Sequence, residues 1–223
     1  MSAVVLDLPK RERNKQEKRV ALLAAARRLF ARRGFAATTT AEIAERAGVG
    51  AGTLFLYFAS KDDLLVAIFR ADMDAVVARA FATLPKRASL LTELLHVYGA
   101  MIAFHERDPE LARAFVKEML FVSPANLASV FEFIDGVSAR VAERIALRQA
   151  RGELDAGVSA ARVAENCFAL YIARLQKWLG LGERLASEEL LARLRESFAL
   201  QLRVLEPAPT RAKPRASPRA RRA

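Results

Sequence analysis

The sequence predicts an all-α fold of about nine helices, a three-helix helix-turn-helix module at the N-terminus and a larger helical domain behind it. Three observations carry this. Apolar residues recur at three- and four-residue steps in segment after segment. These segments are punctuated by capping residues, glycines and prolines, as in Thr39-x-x-Glu42, Ser60, Ser89 and Asp108-Pro109 at starts and Gly34, Gly48, Pro85 and Gly152 at stops. The third is a division of charge: residues 1–60 carry a formal +6, residues 61–205 balance to zero, and residues 206–223 carry +5, within a total of +11. A polyanionic partner suits the two ends, and an uncharged or weakly polar ligand suits the middle.

Composition narrows the class. The chain of 223 residues is 53% hydrophobic, enough for a real core. It has no apolar run of the ~18 residues that a membrane span requires and no signal-peptide pattern at its start, so it reads as soluble and cytoplasmic, with no membrane partner. The one cysteine, Cys167, excludes an internal disulfide and a zinc cluster and reads as buried packing. No Rossmann glycine pattern, P-loop, nucleophile elbow or paired-histidine spacing occurs. We therefore expect no enzyme, no cofactor and no metal.

Residues 1–13 lack a helical period and contain Pro9, so they read as a disordered arm, made basic by Lys10, Arg11 and Arg13. It is either a solvated terminus or an arm reaching the DNA backbone or minor groove. Residues 14–33 form a long amphipathic helix in which Val20, Leu23, Ala24, Leu29 and Phe30 fall near helical spacing, closed by Gly34. The three-helix unit spans residues 14–60 and extends to about 74 with the start of the next helix. In it Thr39 and Glu42 stand at capping-box spacing, so a helix begins near Thr40 and ends at Gly48. After the turn Gly48-Val49-Gly50, a short helix over residues 51–58 turns Leu54 and Phe58 inward and leaves Thr53, Leu56 and Tyr57 outward. Leu54, Phe55, Leu56 and Phe58 could all belong to a helical core, but they cannot share one helix face, so at least one is displayed. Two helices joined by a glycine turn are the geometry whose second helix enters a major groove.

Residues 61–205 make the second domain. Ser60 opens a long helix with Asp62 and Asp63 in its first turn, buries Leu64, Leu65, Ile68, Phe69, Val76 and Val77, and stops at Pro85. Ser89 caps a helix running to about 107, and Asp108-Pro109-Glu110 starts one that ends near 121. Residues 126–151 follow, with Phe131, Ile134, Val137, Val141 and Ile145 as their stripe. The last two helices cover about 159–179 and 187–205. Val163, Cys167 and Leu170 on the first, with Leu190, Leu191, Leu194, Phe198 and Leu202 on the second, form apolar stripes that either close the core or meet a second copy of the chain. A dimer interface is the preferred reading, because one helix-turn-helix reads few base pairs and a two-fold axis doubles the contact. Residues 206–223 repeat Pro, Ala and Arg/Lys and read as a disordered basic tail.

The ordered motifs Gly34-Phe35, Thr38-Thr39, Ile43-Ala44, Ala47-Gly48-Val49, Gly52-Thr53-Leu54, Tyr57-Phe58 and Ser60-Lys61 resemble the TetR family of transcriptional regulators. The likeness covers residues 14–70 by motif and continues to about 205 in helix layout. It implies a homodimer that binds a double-stranded DNA operator and releases it when a small-molecule effector enters the second domain, with the last two helices of two subunits forming a four-helix bundle. It also implies phosphate contacts at Thr38, Thr53, Tyr57 and Lys61, a groove position at or near Gly50, Ala51, Phe55 and Leu56, and a place for Thr39 among the DNA-facing residues. Gly50-Ala51 stands where a polar-basic pair is frequent and Phe55 where a tyrosine is. Leu56, apolar where the family is often polar or aromatic, suits thymine methyls.

An effector pocket belongs between the middle helices, with Met73, Met101, Phe104, His105, Phe115, Met119, Phe168 and Tyr171 as candidates; methionine adapts to shape, and Tyr171 or His105 supplies a hydrogen bond. Each is equally a core residue by type. The function expected is a repressor released by a largely apolar ligand, and the alternative is a helical small-molecule binder or enzyme with a vestigial DNA module.

Overall fold

The computed structural model describes residues 9–119, 121–181 and 185–206. Among them lie nine α-helices and no strand: α1 (Lys10–Arg33), α2 (Thr40–Arg46), α3 (Ala51–Leu54), α4 (Lys61–Ala82), α5 (Leu90–Glu106), α6 (Pro109–Glu118), α7 (Pro124–Ala150), α8 (Ala160–Leu175) and α9 (Ser187–Leu202). A π-turn, Gln176–Gly180, extends α8, and a 3-10 turn, Arg203–Leu205, extends α9. No helix of the described residues is long and apolar enough to cross a membrane. Residues 207–223 of the basic tail and residues 1–8 of the arm lie outside the described residues.

Helix starts follow their caps. The Thr39 hydroxyl accepts from the Glu42 amide at 3.2 Å while the Glu42 carboxylate accepts from the Thr39 amide at 2.9 Å, the reciprocal pairing expected of a capping box. Asp108 accepts from the Leu111 amide at 3.0 Å with Pro109 behind it as the first helical residue. Gly48, at φ 70°, takes the left-handed position that turns α2 toward α3.

Three boundaries depart from expectation. α1 begins at Lys10, not Asn14, because Pro9 fixes a helix-compatible φ of −51° and its carbonyl accepts from the Glu12 and Arg13 amides at 2.8 and 3.0 Å. Residues 10–13 are thus helical, which corrects the disordered arm there. α7 starts at Pro124, since proline is tolerated in a first turn where its missing N–H has no helical partner. α3 is one turn long; the Leu56 and Tyr57 amides reach back to the Thr53 and Leu54 carbonyls at 3.2 and 2.9 Å, tightening the chain before it leaves for Ser60.

α5 is the axis of the second domain, buried through Leu94, Val97, Tyr98, Met101, Ile102 and His105 and packed against α4, α6, α7 and α9. Glu93 anchors it: the Arg144 guanidinium donates to its carboxylate through two nitrogens at 2.9 and 3.0 Å, and Arg148 donates at 2.8 Å. α8 fills the other side, against α7 and α9. Here five of the eight expected dimer contacts are corrected. Val163, Cys167, Leu190, Leu194 and Phe198 are buried within this one chain, and Leu170, Leu191 and Leu202 pack half-buried on the same core. Their stripe closes the protomer, because α5 and α7 already occupy the apolar side of the α8–α9 pair.

Candidate functional site

At one end of the molecule the first turns of α1 approach the chain just after α3. Leu56 and Tyr57 there line a cleft of about 640 Å³ together with Lys10, Arg11, Asn14, Lys15 and Lys18. Four cations at one open cleft form a surface for a polyanion. Beside it Leu56 is 80% and Phe55 54% exposed, since α3 and the turn that follows it give their inward positions to Leu54 and Phe58. The Arg19 guanidinium sits 4.6 Å over the Phe58 ring and pins α1 to this turn.

The other expected DNA-facing residues divide. Thr39, Gly50 and Ala51 are exposed, and Thr53 and Tyr57 are half-buried with part of each at the surface. Thr38 is 1% exposed and its hydroxyl donates to the Gly34 carbonyl at 2.8 Å, so as folded its side chain is closed to a phosphate. Lys61 turns inward: its ammonium donates to the carbonyls of Phe35 and Thr38 at 2.8 and 2.9 Å, more weakly to Ala36 at 3.4 Å, and lies 4.4 Å over the Phe35 ring. Both correct the expectation of direct phosphate contacts. They brace the α1–α2 connection, because its carbonyls lack helix partners and Lys61 has three donors to offer. The basic residues of the cleft were visible as a run of charge, but their meeting with Leu56 and Tyr57 was not.

A second site lies inside the larger domain. Seven of the eight expected pocket residues, Met73, Met101, His105, Phe115, Met119, Phe168 and Tyr171, line one cavity of about 40 Å³ with Val130, Phe133, Ile134, Ile172 and Leu175. Phe104 is the exception; half-buried, it packs edge-on against Phe69 at 5.5 Å. On α7 the true inward residue is Phe133, whereas Phe131 is more than half exposed. His105 Nε2 meets the Tyr171 hydroxyl at 3.1 Å. Burial pushes the imidazole down to about 4 and pushes the Tyr171 phenol up. The Cys167 thiol, buried close by on α8, is pushed up to about 12 by desolvation and is inert packing.

Between the two sites stands Asp63, read from the sequence only as a helix-start acid. Its buried carboxylate accepts from the Ala59 amide at 3.0 Å, the Ser123 amide at 2.9 Å and the Asn126 side-chain amide at 2.9 Å. Burial alone would raise its pKa, but the bonds from Ser123, Asn126 and Ala59 outweigh that and hold it below the usual aspartate range. The joint ties the turn after α3 to the first turn of α7. Its neighbour on α4, Val66, packs with Met119 and Val130, both of which line the cavity.

Comparison with known proteins fits this layout. The family model described as bacterial regulatory proteins, tetR family, matches residues 22–68. The chain is similar to the HTH-type transcriptional regulator TtgR of Pseudomonas putida, 28% identical over 174 residues that cover 74% of this chain and 81% of that protein. A solved structure from Shewanella sp. PV-4, placed in the tetR family of transcription regulators, is 30% identical, with 84% of this chain and 97% of that one covered and a TM-score of 0.52. The fold is also that of FadR from Thermus thermophilus, a repressor solved with lauroyl-CoA, at 23% identity, coverage of 87% and 98%, and a TM-score of 0.70.

Proposed function

This chain belongs to the TetR family of bacterial regulatory proteins, and from that premise we propose a homodimeric, cytoplasmic repressor that leaves its operator when a small, largely apolar molecule opens the inner cavity. One observation carries the reading: a basic cleft beside an exposed recognition turn and an apolar cavity occur in one chain, and the buried Asp63 carboxylate bonds both the segment after that turn and the start of α7, a helix that lines the cavity.

On the DNA side, Lys10, Arg11, Lys15 and Lys18 hold phosphates, aided by Tyr57 and by the exposed Thr39 and Thr53. Gly50 and Ala51 let the backbone come close to the groove, and Phe55 and Leu56 press on thymine methyls in place of base hydrogen bonds. Thr38 and Lys61 act behind them, by holding the connection that orients α2 and α3. Pairing of two chains falls to the outward face of α8 and α9, where Ala169, Ala173, Ala192 and Ala199 are exposed beside the exposed Leu200. Small side chains there let helices approach closely around an apolar contact.

Release works through the α6–α7 connection. A ligand larger than the cavity displaces Met119, which opens that connection, and Ser123 and Asn126 on its far side hold Asp63. α4 then shifts at its first turn and the recognition turn moves with it. The ligand favours the released state only insofar as it binds that state better.

Selection of random duplex DNA by the purified protein, followed by titration of the enriched site against salt, tests the reading. A palindrome with half-sites about one helical turn apart is expected of a dimeric reader. Salt-sensitive binding to every duplex without enrichment would rule out sequence-specific repression.

A further inference from the structure

Among the described residues, the cavity wall is carbon and sulfur except at two. His105 and Tyr171 are its polar members there, and no described lysine, arginine, aspartate or glutamate lines it. Their side chains meet through Nε2 and the phenol oxygen, which leaves His105 Nδ1 buried and without a hydrogen-bond partner among the described residues. Buried ring nitrogens without partners are uncommon in folded proteins. The ring is also held in place, lying beside the stacked Phe69 and Phe115 rings at centroid distances of 6.1 and 6.2 Å and within 26° of parallel to both.

We propose that this cavity takes an uncharged, largely apolar molecule bearing one hydrogen-bonding oxygen, a hydroxyl above all, and that His105 Nδ1 is the partner of that oxygen. The proposal deepens the effector reading given above and rests on it.

The argument for a neutral ligand is the absence of a counter-charge in the wall. An anion would lose its water and find no cation, since burial keeps His105 neutral near pH 7. The argument for one oxygen is the count of polar partners. A space of about 40 Å³ can hold a water, but a buried water seeks two to four partners and carbon surrounds it on every other side. A ligand with a single polar group and an apolar body matches that wall better. A hydroxyl suits both proton arrangements of the Tyr171–His105 pair: it donates when Nδ1 is bare and accepts when Nδ1 carries the proton. Room for the body comes from Met73, Met101 and Met119, whose unbranched thioethers repack cheaply.

The test uses the full chain and three probes of one ring system, 2-naphthol, naphthalene and 2-naphthoate, by titration calorimetry, with 15N spectra of the histidine ring. We expect 2-naphthol to bind about fivefold tighter than naphthalene, the size of one net hydrogen bond, and about tenfold or more tighter than 2-naphthoate. The Nδ1 resonance of His105 moves only with 2-naphthol. His105→Phe brings 2-naphthol and naphthalene within about twofold of each other, since the hydrogen bond is gone and the ring volume remains. Tyr171→Phe, which keeps the imidazole, preserves the preference and guards against a His105 variant that fails to fold. Equal or tighter binding of 2-naphthoate, no binding of 2-naphthol at its solubility limit, or a preference that survives His105→Phe overturns the proposal. Duplex retention by the same preparation separates the two readings: a naphthol preference without any selective duplex binding upholds the cavity chemistry and refutes the repressor.

Discussion

Asp63 and Glu93 are both buried carboxylates that grip α7, at opposite ends and by opposite means. Glu93 holds the last turns of α7 through two guanidinium groups, Arg144 and Arg148. Asp63 holds its start through uncharged donors, the Ser123 amide and the Asn126 side chain, while the Ala59 amide ties the same carboxylate to the turn before α4. Burial works against each charge, and in each the hydrogen bonds outweigh it: Arg144 and then Arg148 keep Glu93 below the usual glutamate range, as Ser123, Asn126 and Ala59 do for Asp63. A charge pair in a low-dielectric wall is costly to part, whereas amide bonds to a helix start exchange more readily. In the proposed release, Glu93 marks the fixed end of α7 and Asp63 the end expected to move.

The largest expected effect is on the fixed end. Glu93→Ala removes the carboxylate from the nearly buried Arg148, which keeps its bonds to the Ala88 and Arg144 carbonyls, and should cost about 2–4 kcal/mol in urea unfolding. A loss below about 1 kcal/mol would show Glu93 to be no anchor. Asp63→Asn should cost less, about 1–3 kcal/mol, because amide donors lose their carboxylate acceptor. Its distinguishing result is functional: ligand should shift operator affinity several-fold less than in the parent, while Glu93→Gln, where it folds, keeps the full shift. Equal coupling in both variants breaks the distinction between the two ends.

Acid provides the third comparison. Both folded pKa values are lowered from 3.8 and 4.5, so the stability that each group adds is present above those unfolded values and is lost as pH falls through the folded ones. Urea midpoints taken between pH 6 and pH 3 should fall in the parent and fall less in Asp63→Asn and in Glu93→Gln. A parallel fall in all three would assign acid sensitivity elsewhere. The smallest effects on stability belong to the exposed DNA end. Lys15→Ala and Lys18→Ala should leave unfolding nearly unchanged, yet each should reduce the log–log salt slope of DNA binding by about 1. Leu56→Ala should leave the slope alone and weaken preference for thymine at one position.

Much of this was legible residue by residue. The capping box at Thr39, the Gly48 turn, Ser60, and Asp108-Pro109 are signals within one helical turn, and the helices start where those signals stand. The cavity set was legible too, because methionines and aromatics at helical spacing face one interior, and only Phe104 falls beside it. The last two helices were harder. An apolar stripe such as Leu190, Leu194 and Phe198 looks the same whether its partner is the chain's own α5 or a second copy, and the burial of those residues within one chain decides between them.

What the sequence by itself determined is the number and order of the helices, the turn between α2 and α3, and the separation of a basic end from a neutral middle, since propensity, capping and charge are local or additive properties. What only the tertiary structure decided is which polar groups meet across long separations. Lys61 reaches back to the connection before α2, Asp63 reaches forward to Ser123 and Asn126, and His105 finds Tyr171. No spacing rule records those pairs, because their distances are set by how whole helices pack and not by the turn in which each residue stands.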